Sequence, residues 1–197
     1  MLLDICLGTR TSWKILFVLS ETPGKAISRQ EIRSLSKLGN KVISKFLLNL
    51  EAFNIVKKDK LGKQYLYKLN MANPYTLKIL DIIKLEKEQL NNINFDILII
   101  LRELVYELTN IDFKSITNVI LFGSYAKHSY SDNSDIDIAI FTKVKNPDIE
   151  LLITDIIDRL HNRFGKEIQV HYYTTEEFKN NSSKLIQEIK KDGINLF

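Results

Sequence analysis

The chain has 197 residues, of which 45% are hydrophobic and 26% charged, with a formal net charge of +4. This composition excludes a disordered chain, the length allows two small domains, and charges at Asp96, Arg102 and Glu103 interrupt the longest apolar run, which excludes a membrane span. Because Cys6 is the single cysteine and the N-terminus does not have the pattern of a signal peptide, we expect a cytoplasmic protein in which Cys6 packs as a small hydrophobic residue.

Residues 1–73 are predicted to form the first domain. An apolar stretch at 13–19 predicts a helix. Ser28 and Glu31 have the spacing of a capping box, which predicts the start of a second helix of about eight residues. Asn40 follows a turn, and we expect it to cap a third helix.

The third helix, at about 41–52, is followed by a predicted hairpin. Two short segments, 55–58 and 65–69, lie on either side of a turn that contains glycine, the pattern of two antiparallel strands. A helix, a helix-turn-helix and a hairpin in this order are typical of a winged-helix domain. In that fold the third helix is the recognition helix.

Basic residues are concentrated in this first domain. Residues 1–73 contain 13 Lys and Arg against 5 Asp and Glu, a net charge of +8, whereas residues 74–197 have a net charge of −4. Cations on the recognition helix and the hairpin suit the neutralisation of DNA phosphates. The alternatives are a merely solvated basic face and a protein-docking module. We predict that duplex DNA contacts six side chains: Lys41, Ser44, Lys45, Lys57, Lys58 and Lys60.

Residues 74–110 predict a helical connector. Two helices are expected, at 75–90 and at 95–109, and the second has apolar residues at steps of three and four. Such a stripe serves either to join the two modules or to form a homodimer, and the sequence does not separate these alternatives.

Residues 111–197 predict an α/β domain. Strands are expected at 119–122, 136–141 and 168–172, because each is a short, mainly apolar run. Helices are expected between and after them, the longest at 148–164 and the last at about 182–192. Strands that alternate with helices after a helical segment indicate an α/β (α+β) fold.

Two short segments of this domain have the residue types that phosphoryl chemistry requires. Gly123 and Ser124 follow a strand and begin a helix, so their backbone N–H groups can hold a phosphate. Asp135 and Asp137 are two residues apart, which places both carboxylates on one face of a strand. Two adjacent carboxylates need a cation between them, and Mg²⁺ or Mn²⁺ with substrate phosphates fits this need. We therefore predict Asp135 and Asp137 as catalytic residues and metal ligands.

The run from Leu121 to Phe141, LFGSYAKHSYSDNSDIDIAIF, resembles the signature of the DNA polymerase β-type nucleotidyltransferase superfamily, and within it the minimal nucleotidyltransferases. The segment YLYKLNMANP, at 65–74, is similar to the end of the winged helix in a prokaryotic family that joins such a domain to a nucleotidyltransferase. The resemblance implies a small mixed sheet flanked by helices, a nucleoside triphosphate donor such as ATP, and Mg²⁺.

The resemblance also implies roles for individual residues. Gly123, Ser124, Lys127 and Ser134 fall at positions that bind the nucleotide, although Ala126-Lys127-His128 stands where the family often has Ala-Arg-Gly. Lysine supplies charge to a phosphate but not the two-pronged contact of arginine.

A second departure concerns a third carboxylate, which active members of the superfamily usually carry on the next strand. Hydrophobic alternation places Gln169 at this position, and glutamine is neutral and a poor base. Glu167 and His171 share its face by the two-residue period, each about 7 Å away along the strand, and are the candidates to replace the missing carboxylate.

We therefore expect a nucleotidyltransferase that moves a nucleoside monophosphate to a protein, RNA or small-molecule hydroxyl. AMP is the first candidate for the transferred group. By analogy with related minimal systems, a partner toxin is a candidate acceptor. The alternative is a DNA-binding transcriptional regulator or antitoxin whose nucleotidyltransferase domain binds nucleotide with weak or no turnover.

Overall fold

The computed structural model describes residues 10–112, 115–180 and 183–197, so Cys6 lies outside the described residues. Two compact units make up the chain, the first ending at Glu88 and the second beginning at Gln89. No described helix is both long enough and apolar enough to cross a membrane. The elements in chain order are α1 (Arg10–Ser20), β1 (Ile27–Ser28), α2 (Arg29–Ser36), α3 (Asn40–Ala52), β2 (Val56–Leu61), β3 (Gln64–Leu69), α4 (Pro74–Gln89), α5 (Phe95–Asp112), β4 (Ile116–Phe122), α6 (Gly123–Ala126), β5 (Ile136–Thr142), α7 (Pro147–Phe164), β6 (Ile168–Thr174), α8 (Thr175–Asn180), α9 (Lys184–Asp192) and β7 (Ile194–Asn195).

The first unit has the topology of a winged helix. Three helices, α1 to α3, contact one another, and a three-stranded antiparallel sheet follows in the order β1-β3-β2. Apolar side chains that are almost fully buried form its core, and burial of this kind is the main source of stability in a small domain. They include Ile15, Phe17, Ile32, Ile43 and Leu47.

Local signals account for most of the helix boundaries in this unit. The predicted capping box is present, since Ser28 accepts a hydrogen bond from the Glu31 backbone and the Glu31 carboxylate accepts one from the Ser28 backbone. The prediction that Asn40 caps the third helix is wrong. Gly39 is the N-cap and Asn40 is the first helical residue, because an extended backbone at Gly39 already starts the helix without a side-chain bond.

The segment expected as a connector contains α4 and α5. The unit boundary falls at the end of α4, and α5 lies entirely in the second unit. In the second unit, α5 contacts β4 and α7.

The second unit is built on a four-stranded mixed sheet with the order β6-β5-β4-β7. β5 is antiparallel to β4 and parallel to β6, while the two-residue strand β7 is antiparallel to β4. This arrangement is the small mixed sheet flanked by helices that the resemblance implies. The sequence reasoning missed β1 and β7, because strands of two residues show no alternation that could be recognised.

The two faces of this sheet are covered by different helices. Leu121, Ile138 and Ile140 are completely buried on one face. On the other face, Phe122 packs in a cluster with Ile189 of α9. Alternation along β4 and β5 puts the functional end of β5 on this second face, because Asp137 is two residues before Ala139, another member of the same cluster.

Candidate active site

Gly123 and Asp137 form the centre of the candidate site. Phe122, the last residue of β4, is paired with Asp137 of β5, so Gly123 turns into α6 directly beside the aspartate. Gly123 has a φ of +69°, and a Cβ atom at this position would lie 2.1 Å from Asp137 Oδ2. Only glycine satisfies both conditions, because other residues rarely adopt this conformation and none could avoid the carboxylate. The two predicted motif segments therefore meet in the structure.

Asp135 lies immediately before β5 and is held by the strand on the other side. In the parallel register Asp137 is paired with Gln169 of β6. The Gln169 Nε2 group donates a hydrogen bond of 2.7 Å to Asp135 Oδ2. Gln169 thus lies next to both aspartates, where the resemblance implies a third carboxylate, and it offers them an N–H group instead of a negative charge.

The electrostatic environment acts against a charged Asp137. Burial raises the pKa of the Asp137 carboxyl above its usual range, and the negative charges of Asp135 and Glu188 raise it further. His171 opposes these effects and lowers the pKa. A pair of carboxylates that is held together in spite of desolvation and mutual repulsion is an arrangement that a cation would stabilise.

The carboxylate pair fits a metal bound together with a nucleotide better than a metal held by protein alone. Among the described residues there is no group of three or more His, Cys, Asp or Glu side chains that could hold a metal. Mg²⁺ typically binds to one or two carboxylates, keeps several waters and completes its shell with substrate phosphates. Asp135 and Asp137 supply the hard oxygen atoms for such a site.

His171 and Glu167, the candidates to replace the third carboxylate, lie in different surroundings. The His171 ring packs edge-to-face on Phe122, with 5.4 Å between centroids, and is close enough to Asp137 to affect its pKa. Glu167 Oε1 is 3.5 Å from Nδ1 of His161 in α7. Glu167 precedes β6 and its carboxylate lies beside α7, so its part in the site stays a prediction.

Lys127 follows α6 and is paired with acidic residues of α9. Its ammonium donates a hydrogen bond of 2.5 Å to Glu188 Oε1 and lies 3.9 Å from Asp192 Oδ2. The hydrogen bond to Glu188 raises the pKa of Lys127, so the side chain stays positively charged. Sequence reasoning did not find Glu188, which is 61 residues from Lys127 and belongs to no recognised motif.

Ser134 stabilises the loop before the aspartates. Its hydroxyl accepts a hydrogen bond of 2.8 Å from the Ser131 backbone, and its carbonyl accepts one from the Lys166 ammonium. Lys166 also donates to the Asp132 carbonyl. Tyr125 stacks on Tyr130 at 4.5 Å between ring centroids. In this structure the Ser134 hydroxyl closes a turn. No motif or periodicity indicated the contribution of Lys166.

The predicted DNA-binding residues are divided between two surfaces of the hairpin. Lys58 is paired with Tyr67 and Lys60 with Tyr65, so both lie on the face that includes the buried Tyr67. Lys57 lies on the opposite face by alternation. The structure therefore does not bring the three hairpin lysines together.

Helix α3 presents Lys41 and Lys45 as exposed side chains. Ser44 is engaged by Arg29 of α2, whose guanidinium donates a hydrogen bond of 2.9 Å to the Ser44 hydroxyl. Arg29 also lines an open cleft of about 340 Å³ together with Arg33, and none of the described residues that line this cleft is acidic. The other residues that line the cleft come from the start of α2, the start of α3 and the hairpin. They are Ser28, Gln30, Asn40, Lys63, Gln64, Tyr65 and Tyr67.

One comparison with known proteins agrees with the fold of the second unit. Residues 107–197 match the family model described as "Polymerase beta, Nucleotidyltransferase". No curated protein sequence matches the chain.

Solved structures give only weak likenesses. A toxin–antitoxin complex with AMP-PNP is 21% identical, with 48% of this chain and 70% of that chain covered and a TM-score of 0.35. A mutant of the toxin–antitoxin complex MntA-HpeT is 19% identical, with 47% and 69% covered and a TM-score of 0.33. TrmBL2, described as an archaeal chromatin protein with a novel mode of DNA binding, is 17% identical, with 96% and 73% covered and a TM-score of 0.32. These scores are too low to support conclusions about this chain. The family match is the firm result: the nucleotidyltransferase family model of polymerase β covers residues 107–197 of this chain.

Proposed function

We propose that the protein is a metal-dependent nucleotidyltransferase that transfers a nucleoside monophosphate from a triphosphate to an acceptor hydroxyl. ATP is the first candidate for the triphosphate donor. The observation that supports this function most directly is the contact between the Gly123 turn and the Asp137 carboxylate, with Asp135 beside them. It joins a backbone phosphate site to a carboxylate pair, the two elements that nucleotidyl transfer requires.

Each side chain has a defined part in this proposal. The backbone N–H groups at Gly123 and Ser124 would bind the phosphates, and Asp135 and Asp137 would hold the divalent cation. When bound, this cation supplies Lewis-acid stabilisation of charge on the phosphate oxygens. The acceptor oxygen forms a bond to the α-phosphorus, and the bond from this phosphorus to pyrophosphate breaks. Gln169 keeps Asp135 oriented, but it cannot take the proton of the acceptor, so this proton passes to another base or to solvent.

The test uses ATP labelled at the α-phosphate, with Mg²⁺ or Mn²⁺, and separate panels of RNA, small molecules and proteins that include a partner toxin, the acceptor that the resemblance implies. We expect label transfer and pyrophosphate release that fall by more than about a hundredfold in Asp137→Asn. Glu176→Gln is the control, because Glu176 is an exposed acid at the start of α8, beyond the far end of β6 from Gln169. Metal-dependent nucleotide binding without transfer to any acceptor would instead support the binding-only regulator.

We also propose DNA binding by the winged helix as a second function, because the Arg29–Arg33 cleft is basic and opens beside α3. Affinity for duplex DNA should fall steeply as salt rises, since cations that neutralise phosphates release counterions. Lys41→Ala with Lys45→Ala should weaken binding and reduce the salt slope. Lys57→Ala, on the other face of the hairpin, should have a smaller effect. Absence of DNA binding at low salt would favour a protein-docking role for this domain.

A further inference from the structure

Glu188 is a charged residue near the candidate site to which neither the motif nor the family match assigns a role. Helix α9 lies on the sheet face of Asp137, because its Ile189 packs against Phe122 and its Leu185 packs against the same cluster. Glu188 is next to Ile189 and its side chain is one-third exposed.

The partner of Glu188 is the cation that the resemblance assigns to the nucleotide. Lys127 follows directly on α6, the helix that begins at Gly123, and its N–H group donates to the Gly123 carbonyl. Its ammonium is 2.5 Å from Glu188 and has Asp192, one helical turn further along α9, at 3.9 Å. Without nucleotide, the positive charge of Lys127 is therefore balanced by α9.

This pairing affects the two forms of a triphosphate differently. A metal-free triphosphate has about four negative charges and needs protein cations, but Asp135 and Asp137 repel it and Glu188 competes for Lys127. A metal-bound triphosphate attaches to the same aspartates through its cation and depends less on Lys127. The Lys127–Glu188 ion pair therefore weakens binding of the metal-free triphosphate more than binding of the metal-bound triphosphate.

We propose that Glu188 is a positioning residue that acts through Lys127 and reserves the site for the metal-bound triphosphate. This inference rests on the proposed function, because it assumes that the site binds a triphosphate. It goes beyond that function by assigning the metal requirement partly to a residue that is not a metal ligand.

The test measures equilibrium binding of a non-hydrolysable ATP analogue in excess EDTA and in saturating Mg²⁺. Glu188→Gln should tighten binding in EDTA by about three- to fivefold, the scale of a partly exposed ion pair, and change binding in Mg²⁺ much less. Glu188→Ala should act in the same direction, and thermal unfolding should show that both variants fold. Glu176→Gln removes the same charge from α8 and should leave both dissociation constants unchanged.

A second set of variants tests whether Lys127 transmits the effect. In a Lys127→Ala background, Glu188→Gln should no longer improve binding in EDTA. The proposal is overturned if Glu188→Gln and Glu188→Ala leave the EDTA constant unchanged, if they improve both constants equally, or if the gain persists without Lys127. A wild-type protein that binds no analogue in either condition overturns the proposed function, and this inference with it. Wild-type binding in Mg²⁺, together with an EDTA dissociation constant that neither Glu188 variant changes, overturns this inference alone.

Discussion

The backbone of Gly123 and the carboxylate of Asp137 approach so closely that a Cβ atom at Gly123 would lie 2.1 Å from Asp137 Oδ2 and 2.9 Å from its Cγ. Both distances are shorter than any non-bonded contact of a real Cβ. The turn and the aspartate must therefore shift together if any side chain is introduced. Gly165 provides a matched comparison, because its φ of +68° is nearly the same and nothing lies within 4 Å of its Cβ position.

Gly123→Ala should therefore reduce both stability and binding. Gly165→Ala introduces only the left-handed backbone strain, about 1–2 kcal/mol. Gly123→Ala adds the displacement of Asp137 and should lose roughly 10- to 100-fold in metal-dependent nucleotide affinity. Urea unfolding and binding titrations of the two variants check this difference. Equal losses in both variants would mean that the contact with Asp137 has no functional importance.

The sequence predicted the short-range part of this site. The end of β4, the glycine and the two aspartates were found because strand and turn signals are local. Gln169 was placed correctly next to the aspartates because alternation along a strand follows from the backbone itself. The approach of Glu167 to His161 was not predictable, because it depends on where the end of α7 lies.

Interactions between distant segments were not predictable in the same way. Lys127 and Glu188 meet because α9 lies over the sheet, and its position depends on the packing of Ile189 and on the short strand β7. The hydrogen bond from Arg29 to Ser44 likewise depends on the angle between two helices. No periodicity in a single sequence contains this information.

Gln169→Glu should change the metal dependence of the domain. The substitution keeps the shape of the side chain and replaces the N–H donor to Asp135 with a third carboxylate. Without metal, the added repulsion should lower stability. With Mg²⁺, affinity for the cation should rise by about tenfold, because one more oxygen ligand with a full charge is available. Thermal unfolding in EDTA and in Mg²⁺ checks both effects. Gln64→Glu, the same change in the first unit, should show neither, and a variant that is destabilised in both conditions would contradict the role of this position.

Asp137→Asn should show a pH-dependent gain in stability when metal is absent. Because the pKa of Asp137 is raised on folding, the folded protein binds the proton more tightly than the unfolded chain. Stability is therefore lost as pH rises from the ordinary aspartate value, about 3.9, through the raised value, and the loss remains at neutral pH. The variant has no such charge and should be more stable than wild type at pH 7, with an advantage that disappears in acid.

Addition of Mg²⁺ should make wild type more stable than Asp137→Asn at pH 7. The cation should stabilise wild type, by about 2.7 kcal/mol at a hundred times its dissociation constant, but not Asp137→Asn. Urea midpoints with and without Mg²⁺ at neutral and acid pH check both statements. Asp158→Asn, an exposed position on α7, is the control for loss of an aspartate charge. An Asp137→Asn variant that is less stable than wild type in EDTA at pH 7 would show that the negative charge of Asp137 does not destabilise the fold.

His128→Gly should stabilise the turn that follows α6. His128 has a φ of +54° and is exposed, and it stands where the family often has glycine. Removing its Cβ should relieve the left-handed strain and raise the free energy of unfolding by about 1 kcal/mol. Asn54→Gly is the matched control, because Asn54 has a φ of +55° but asparagine tolerates this conformation, so a smaller gain is expected. Urea unfolding of both variants measures the two gains. If His128→Gly gains no more than Asn54→Gly, backbone strain is not what distinguishes the histidine at this position.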